Sequence, residues 1–220
     1  MSALGTIGKI VRSSLSRGGA RKSKKSPAPE LEKGTFDYIL EPKSDCFSVG
    51  FAKTDVMPDD MDKTAYYVAG YRMNNPAKGV LDPMTASAVW IDDLSGRGGV
   101  VFVSIDDIGL TNYDVGIIRD LLADFKNESG CRLINIMSIH NHASIDTVGL
   151  WGPLPRSGRN KKYMELLAQK VKQVVLDAYN DRRDGDLYYG KKEAEAIQRD
   201  SRLPEVYSKD VHRFRFVPKD

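Results

Sequence analysis

Val100-Val101-Phe102-Val103-Ser104-Ile105, a helical stripe from Thr111 to Phe125, and then Leu133-Ile134-Asn135-Ile136-Met137 decide the fold of this 220-residue chain. The first run is continuously apolar, the mark of a strand covered on both faces, and it ends in Asp106-Asp107. Thr111 with Asp114 three residues on is a helix-start signal of the capping-box kind. Val115, Ile118, Leu122 and Phe125 then share a stripe at helical spacing, widened by Ile117 and Leu121. Ser129-Gly130 stops the helix and the second apolar run follows. Strand, helix, strand in this order reads as a right-handed parallel crossover.

Upstream, Cys46 to Phe51 alternates as a strand until Pro58-Asp59-Asp60 breaks it, and Tyr66 to Tyr71 reads as a second strand. Thr85 to Ile91 reads as a third, with Ala86, Ala88 and Trp90 opposing Ser87, Val89 and Ile91. The turn cluster Ser95-Gly96-Arg97-Gly98-Gly99 joins it to Val100–Ile105 as a hairpin. Downstream, a polar loop runs from about Asn141 to Arg159. A long helix follows, with Tyr163, Leu167, Val171, Val174, Val175 and Ala178 inward and Lys161, Lys162, Lys170 and Lys172 outward. Leu187–Gly190 and Val211–Val217 close the chain as two more strands. The fold class is α/β, a mixed sheet with flanking helices.

The net charge of +3 is unevenly placed. Lys9, Arg12, Arg17, Arg21, Lys22, Lys24 and Lys25 precede the first acidic residue, Glu30, and without them the remainder is slightly acidic. A body built to grip nucleic acid is therefore not indicated. Residues 1–43 are expected to be a disordered basic tail, able at most to touch a membrane surface weakly, with the domain over 44–220. Cys46 and Cys131 have no metal-ligand spacing and read as small buried apolar residues. No apolar run approaches the ~20 residues of a membrane-spanning helix. With no clear signal peptide either, a cytoplasmic location is favoured.

Two of the chain's three histidines stand in Ser138-Ile139-His140-Asn141-His142-Ala143-Ser144, just past the carboxyl end of the second apolar strand. That end is where ligands sit in open α/β sheets. If the extended geometry continues, His140 and His142 share a face, so both imidazoles can reach one metal ion or one substrate group. Taken alone, the spacing is a weak signal and better describes a loop whose histidines satisfy backbone groups. Two ligands leave a catalytic zinc site, which usually has three from protein, incomplete. Asp106-Asp107 ends its strand on the same sheet edge. It reads either as a partner holding an imidazole tautomer or as a pair of turn aspartates.

The sequence around the histidines, His140 through Asp146-Thr147-Val148-Gly149-Leu150-Trp151-Gly152-Pro153, resembles the histidine loop of the neutral/alkaline ceramidase family. Val49 to Pro58 followed by Ala69-Gly70-Tyr71 resembles the family's opening strand and glycine-tyrosine turn. Gly79-Val80-Leu81-Asp82-Pro83 and Asp200-Ser201-Arg202-Leu203-Pro204 resemble two further family stretches in the same order. The resemblance implies the amino-terminal part of a zinc amidohydrolase acting on N-acylated lipids such as ceramide. It implies that His140 ligates zinc, that His142 lines the same pocket, and that Arg202 faces the site to orient a polar substrate group. Leu81 departs from a histidine of many members, and Ile145 from a loop proline. The family's other zinc ligands, a histidine, a glutamate and a tyrosine, lie downstream of anything in this sequence. His212, by contrast, reads as an ordinary strand residue, and Trp151 as a packing anchor for the loop or a substrate platform. Two other functions stay open: a non-catalytic relative that binds a partner, and a metallohydrolase of another substrate class.

Overall fold

The structure, a computed structural model, describes residues 45–219. The basic tail expected over 1–43 lies outside them. Six strands form one sheet: β1 (Phe47–Asp55), β2 (Thr85–Asp92), β3 (Val100–Ile105), β4 (Leu133–Ser138), β5 (Arg183–Glu193) and β6 (Asp210–Pro218). Their order is β4-β3-β2-β1-β5-β6. Only β3 and β4 run parallel, joined through helices α1 (Asn112–Leu121) and α2 (Ala123–Ser129). The long helix α3 (Lys161–Asn180) crosses from β4 to β5. The mixed α/β sheet expected from the sequence is the one observed, including the β2–β3 hairpin.

Helices α1 and α3 start where a side chain satisfies their first N–H groups. The Thr111 side chain accepts from the Asp114 backbone while Asp114 reaches back to Thr111, a complete capping box. Asn160 caps α3 by accepting from the Tyr163 N–H at 3.1 Å. The single helix expected from Thr111 to Phe125 is instead two, because the chain tightens at Leu122, whose N–H bonds Arg119. Its stripe survives the break: Ile118, Leu122 and Phe125 are all buried.

The core lies between one face of the sheet and these helices. Ala86, Ala88 and Trp90 of β2, with Val101, Val103 and Ile105 of β3, meet Tyr163, Leu167, Val171, Val174 and Val175 of α3. Gly50 shows how close the layers come, since a Cβ there would stand 2.0 Å from the Ala178 carbonyl oxygen. The inward residues expected on α3 are the buried ones.

Two expectations fail. β3 is covered on one face, not two: Phe102 remains 40% exposed, and Phe51, Leu133 and Met137 are exposed as well. The helices pack on the other side, so an apolar run does not by itself mean two covers. Nor do residues 66–71 form a strand. Tyr67 and Val68 make isolated bridges to Pro76 and Ile145, and the segment spends its backbone groups on the histidine loop instead. Cys131 is buried and Cys46 half-buried, and neither forms a disulfide. Among the described residues no helix is long and apolar enough to cross a membrane.

Candidate functional site

The site is built where β4 ends. The Ile139 N–H bonds the Ile105 carbonyl and the Asn141 N–H bonds that of Asp107, so the β3–β4 pairing outlasts the strand by three residues. Between them His140 takes a left-handed φ of +63°, a conformation unusual for a residue with a side chain. That turn, rather than continued extension, brings the rings of His140 and His142 to a centroid distance of 4.6 Å, edge to face. The sequence places the histidines together, but the backbone achieves it by another route.

His140 is fixed through its inner nitrogen. Nδ1 lies 2.8 Å from the Ile108 carbonyl oxygen. A carbonyl can only accept, so Nδ1 carries the proton and Nε2 is left with its lone pair. Metal-binding histidines are commonly held in this way, and the residue therefore fits a ligand. His142 packs its ring against Gly70 and meets the Tyr71 ring at 4.8 Å. Among the described residues no three His, Cys, Asp or Glu side chains converge as a metal cluster.

The loop that carries the pair is held from beneath. Asp146, fully buried, accepts the N–H groups of Val148, Gly149 and Trp151 at 3.1, 2.6 and 2.7 Å. The Thr147 hydroxyl donates to the Gly109 carbonyl at 2.6 Å, and Arg159 donates to the Thr147 carbonyl at 2.8 Å. The Arg159 guanidinium also clasps the buried Asp114 carboxylate with both terminal nitrogens. Burial raises the Asp114 pKa, but Arg159 and the Thr111 hydroxyl outweigh it and hold the carboxyl below the usual range. Ala69 N–H bonds the Ser144 carbonyl, and Asn74 N–H that of Trp151, so the 66–76 segment braces the same loop. Trp151 is half-buried against this bracing.

Asp106 and Asp107 part company. Asp106 accepts from the Thr85 N–H and hydroxyl at 2.8 and 2.7 Å and is a turn residue. Asp107 is 1% exposed and neither carboxylate oxygen has a hydrogen-bond partner among the described residues. Burial, added to by Asp106 and Asp114 and only partly offset by the nearby Ser138 hydroxyl, which lies outside hydrogen-bond geometry, pushes its carboxyl up to about 6.

Arg202 lies in the exposed loop between β5 and β6, its N–H on the Asp200 carboxylate at 3.0 Å. No hydrogen bond or ion pair in the described residues joins it to the histidine loop, which ends the strand at the opposite edge of the sheet. Leu81 is 97% exposed. His212 sits on edge strand β6 with its Nδ1 2.7 Å from the Tyr189 hydroxyl, as an ordinary strand residue would. A cavity of about 500 Å³ lined by Leu121, Phe125, Leu176 and Tyr179 opens on the helical side and contains none of the candidate residues. Ile108 is the site residue that the sequence did not reveal, and Gly70 and Tyr71 entered only as the glycine-tyrosine turn of the resemblance, with nothing to link them to His142.

No family model matches this sequence, and no curated protein matches it. Among solved structures, one described as a ceramidase complexed with C2 superposes with a TM-score of 0.60 at 18% identity, covering 79% of this chain and 29% of that one. The neutral ceramidase from Pseudomonas aeruginosa superposes with a TM-score of 0.59 at 16% identity, covering 79% of this chain and 30% of that one. The chain thus spans less than a third of the length of these two structures, and at this identity what it shares with them is the fold.

Proposed function

We propose that this chain is the amino-terminal part of a zinc-dependent hydrolase that cleaves the amide bond of N-acylated lipids. The observation that carries the reading is His140: its Nδ1 is tied to the Ile108 carbonyl, its Nε2 is left for a ligand, and it stands on a ceramidase-like fold. Zinc, when bound, supplies Lewis acidity that acidifies a water and polarises the amide carbonyl. His140 would hold the ion and His142 would line the pocket beside it. Asp146, Thr147 and Arg159 keep the loop rigid, which preserves the spacing of the two rings. Arg202 is assigned to a polar group of the substrate, and this assignment requires the β5–β6 loop to approach the histidines in the working enzyme. The remaining ligands are assigned to residues outside those described.

A second reading, a non-catalytic relative, draws on the absence of a third converging ligand among the described residues. Zinc content and hydrolysis of an N-acyl amide decide between them. In the working enzyme His140→Ala should lose both together. Zinc and rate both unchanged in that variant would sink the hydrolase reading.

A further inference from the structure

The two histidines of the loop have their δ nitrogens in opposite surroundings. His140 Nδ1 faces a carbonyl oxygen and so carries a proton. His142 Nδ1 is sealed from solvent and has no hydrogen-bond partner among the described residues. Its seat is Gly70. A Cβ at that position would stand 2.9 Å from this nitrogen and 2.7 Å from the ring's own Cβ and Cγ. Gly70 also has a φ of +115°, which residues with side chains rarely adopt. Tyr71, 81% exposed, lays its ring edge to face against His142 at 62°. A large aromatic so open to solvent gains little from burial, and its ring contact in this turn is with His142.

A buried N–H without an acceptor is rarer and dearer than an unused lone pair, because the donor forfeits a strong directional bond to water. The proton of neutral His142 therefore belongs on Nε2. We propose that the Gly70–Tyr71 turn seats His142 in the Nε2–H tautomer, opposite to that of His140, so that one ring offers a lone pair and the other a hydrogen-bond donor. Gly70 and Tyr71 are positioning residues in this arrangement. That His142 donates to an acceptor oxygen of the substrate, a carbonyl or hydroxyl, rests on the function proposed above; the tautomer assignment itself does not.

With three histidines in the chain, nitrogen NMR of the labelled full chain reads each tautomer at alkaline pH, where imidazoles are neutral. The expected spectrum shows His140 protonated at Nδ1 and His142 protonated at Nε2, each as a single species. Tyr71→Ala, at an exposed position that does not threaten folding, should open Nδ1 to water. The His142 signals should then move toward the averaged values of free imidazole, with those of His140 unchanged. Tyr71→Phe should keep the wild-type pattern. His142 protonated at Nδ1, both rings sharing one tautomer, or His142 signals indifferent to Tyr71→Ala would overturn the proposal. None of these measurements needs zinc or substrate, so a correct spectrum in a protein that never binds zinc would leave the tautomers standing and remove only the hydrolase reading.

Discussion

Burial pushes the Asp107 carboxyl from an ordinary 3.8 up to about 6, so the folded protein holds that proton more tightly than the unfolded chain does. The sign follows directly. Its stabilising contribution is fully present below the unfolded value and is lost as pH rises through about 6. A shift of this size corresponds to about 3 kcal/mol at most. Asp107→Asn should therefore be more stable than the wild type at about pH 7, by roughly 1–3 kcal/mol, and nearly equal to it at about pH 4. Urea midpoints across that range check this, and parallel pH profiles for the two proteins would refute it. Nothing in the letters Asp106-Asp107 separates the two residues, because their difference is made by partners 21 positions away in one case and by burial in the other. The histidine pair was legible because its spacing and its place after a strand are local facts. The glycine that seats His142 was not, since it approaches from a segment some seventy positions upstream.

Among the elements, α3 and the inner faces of β2 and β3 were legible because periodicity reports which side chains share a face. It cannot report how many faces are covered, so the continuously apolar β3 looks doubly covered while Phe102 stays open to solvent. Ile105, fully buried beneath α3, should cost about 2–5 kcal/mol on truncation to alanine. Phe102→Ala, on the helix-free face, should cost only about 1–2 kcal/mol despite removing a larger side chain, since much of it is already in water. Equal losses by urea denaturation would mean that something covers the second face. The 66–76 segment teaches the converse lesson. Its aromatic and β-branched residues suit a strand, but Gly70 bends it away and its N–H and C=O groups find Ser144, Asp146 and Trp151 instead. The loop it braces also depends on one ion pair. Arg159→Ala leaves the buried Asp114 carboxylate without its counter-charge, held by Thr111 alone, and should destabilise the protein by about 3 kcal/mol. Hydrogen exchange should quicken first at Val148, Gly149 and Trp151; protection unchanged there would show that Asp146 holds the loop unaided.

At the scale of the whole molecule, the deciding quantity is how many protein donors a cation meets. A catalytic zinc takes three protein ligands as a rule and keeps a fourth position for water. The described residues bring two imidazoles together, and by the tautomers above only His140 presents a lone pair outward. One nitrogen donor leaves the rest of the coordination sphere to water, which forfeits the affinity that further protein ligands add. The 220-residue chain alone should therefore take up zinc weakly, below one ion per chain after dialysis, and hydrolyse no N-acyl amide. A protein carrying this chain within the full length of the structures it matches should bind zinc tightly. There His140→Ala should abolish metal and activity together, whereas His142→Ala should cut turnover about 10²-fold or more with zinc largely retained. Metal analysis and turnover on both proteins separate these outcomes. Stoichiometric zinc in the short chain would mean that ligands beyond His140 already converge in it, with Asp107 the first to examine, since its carboxylate is buried on the same sheet edge and makes no hydrogen bond among the described residues.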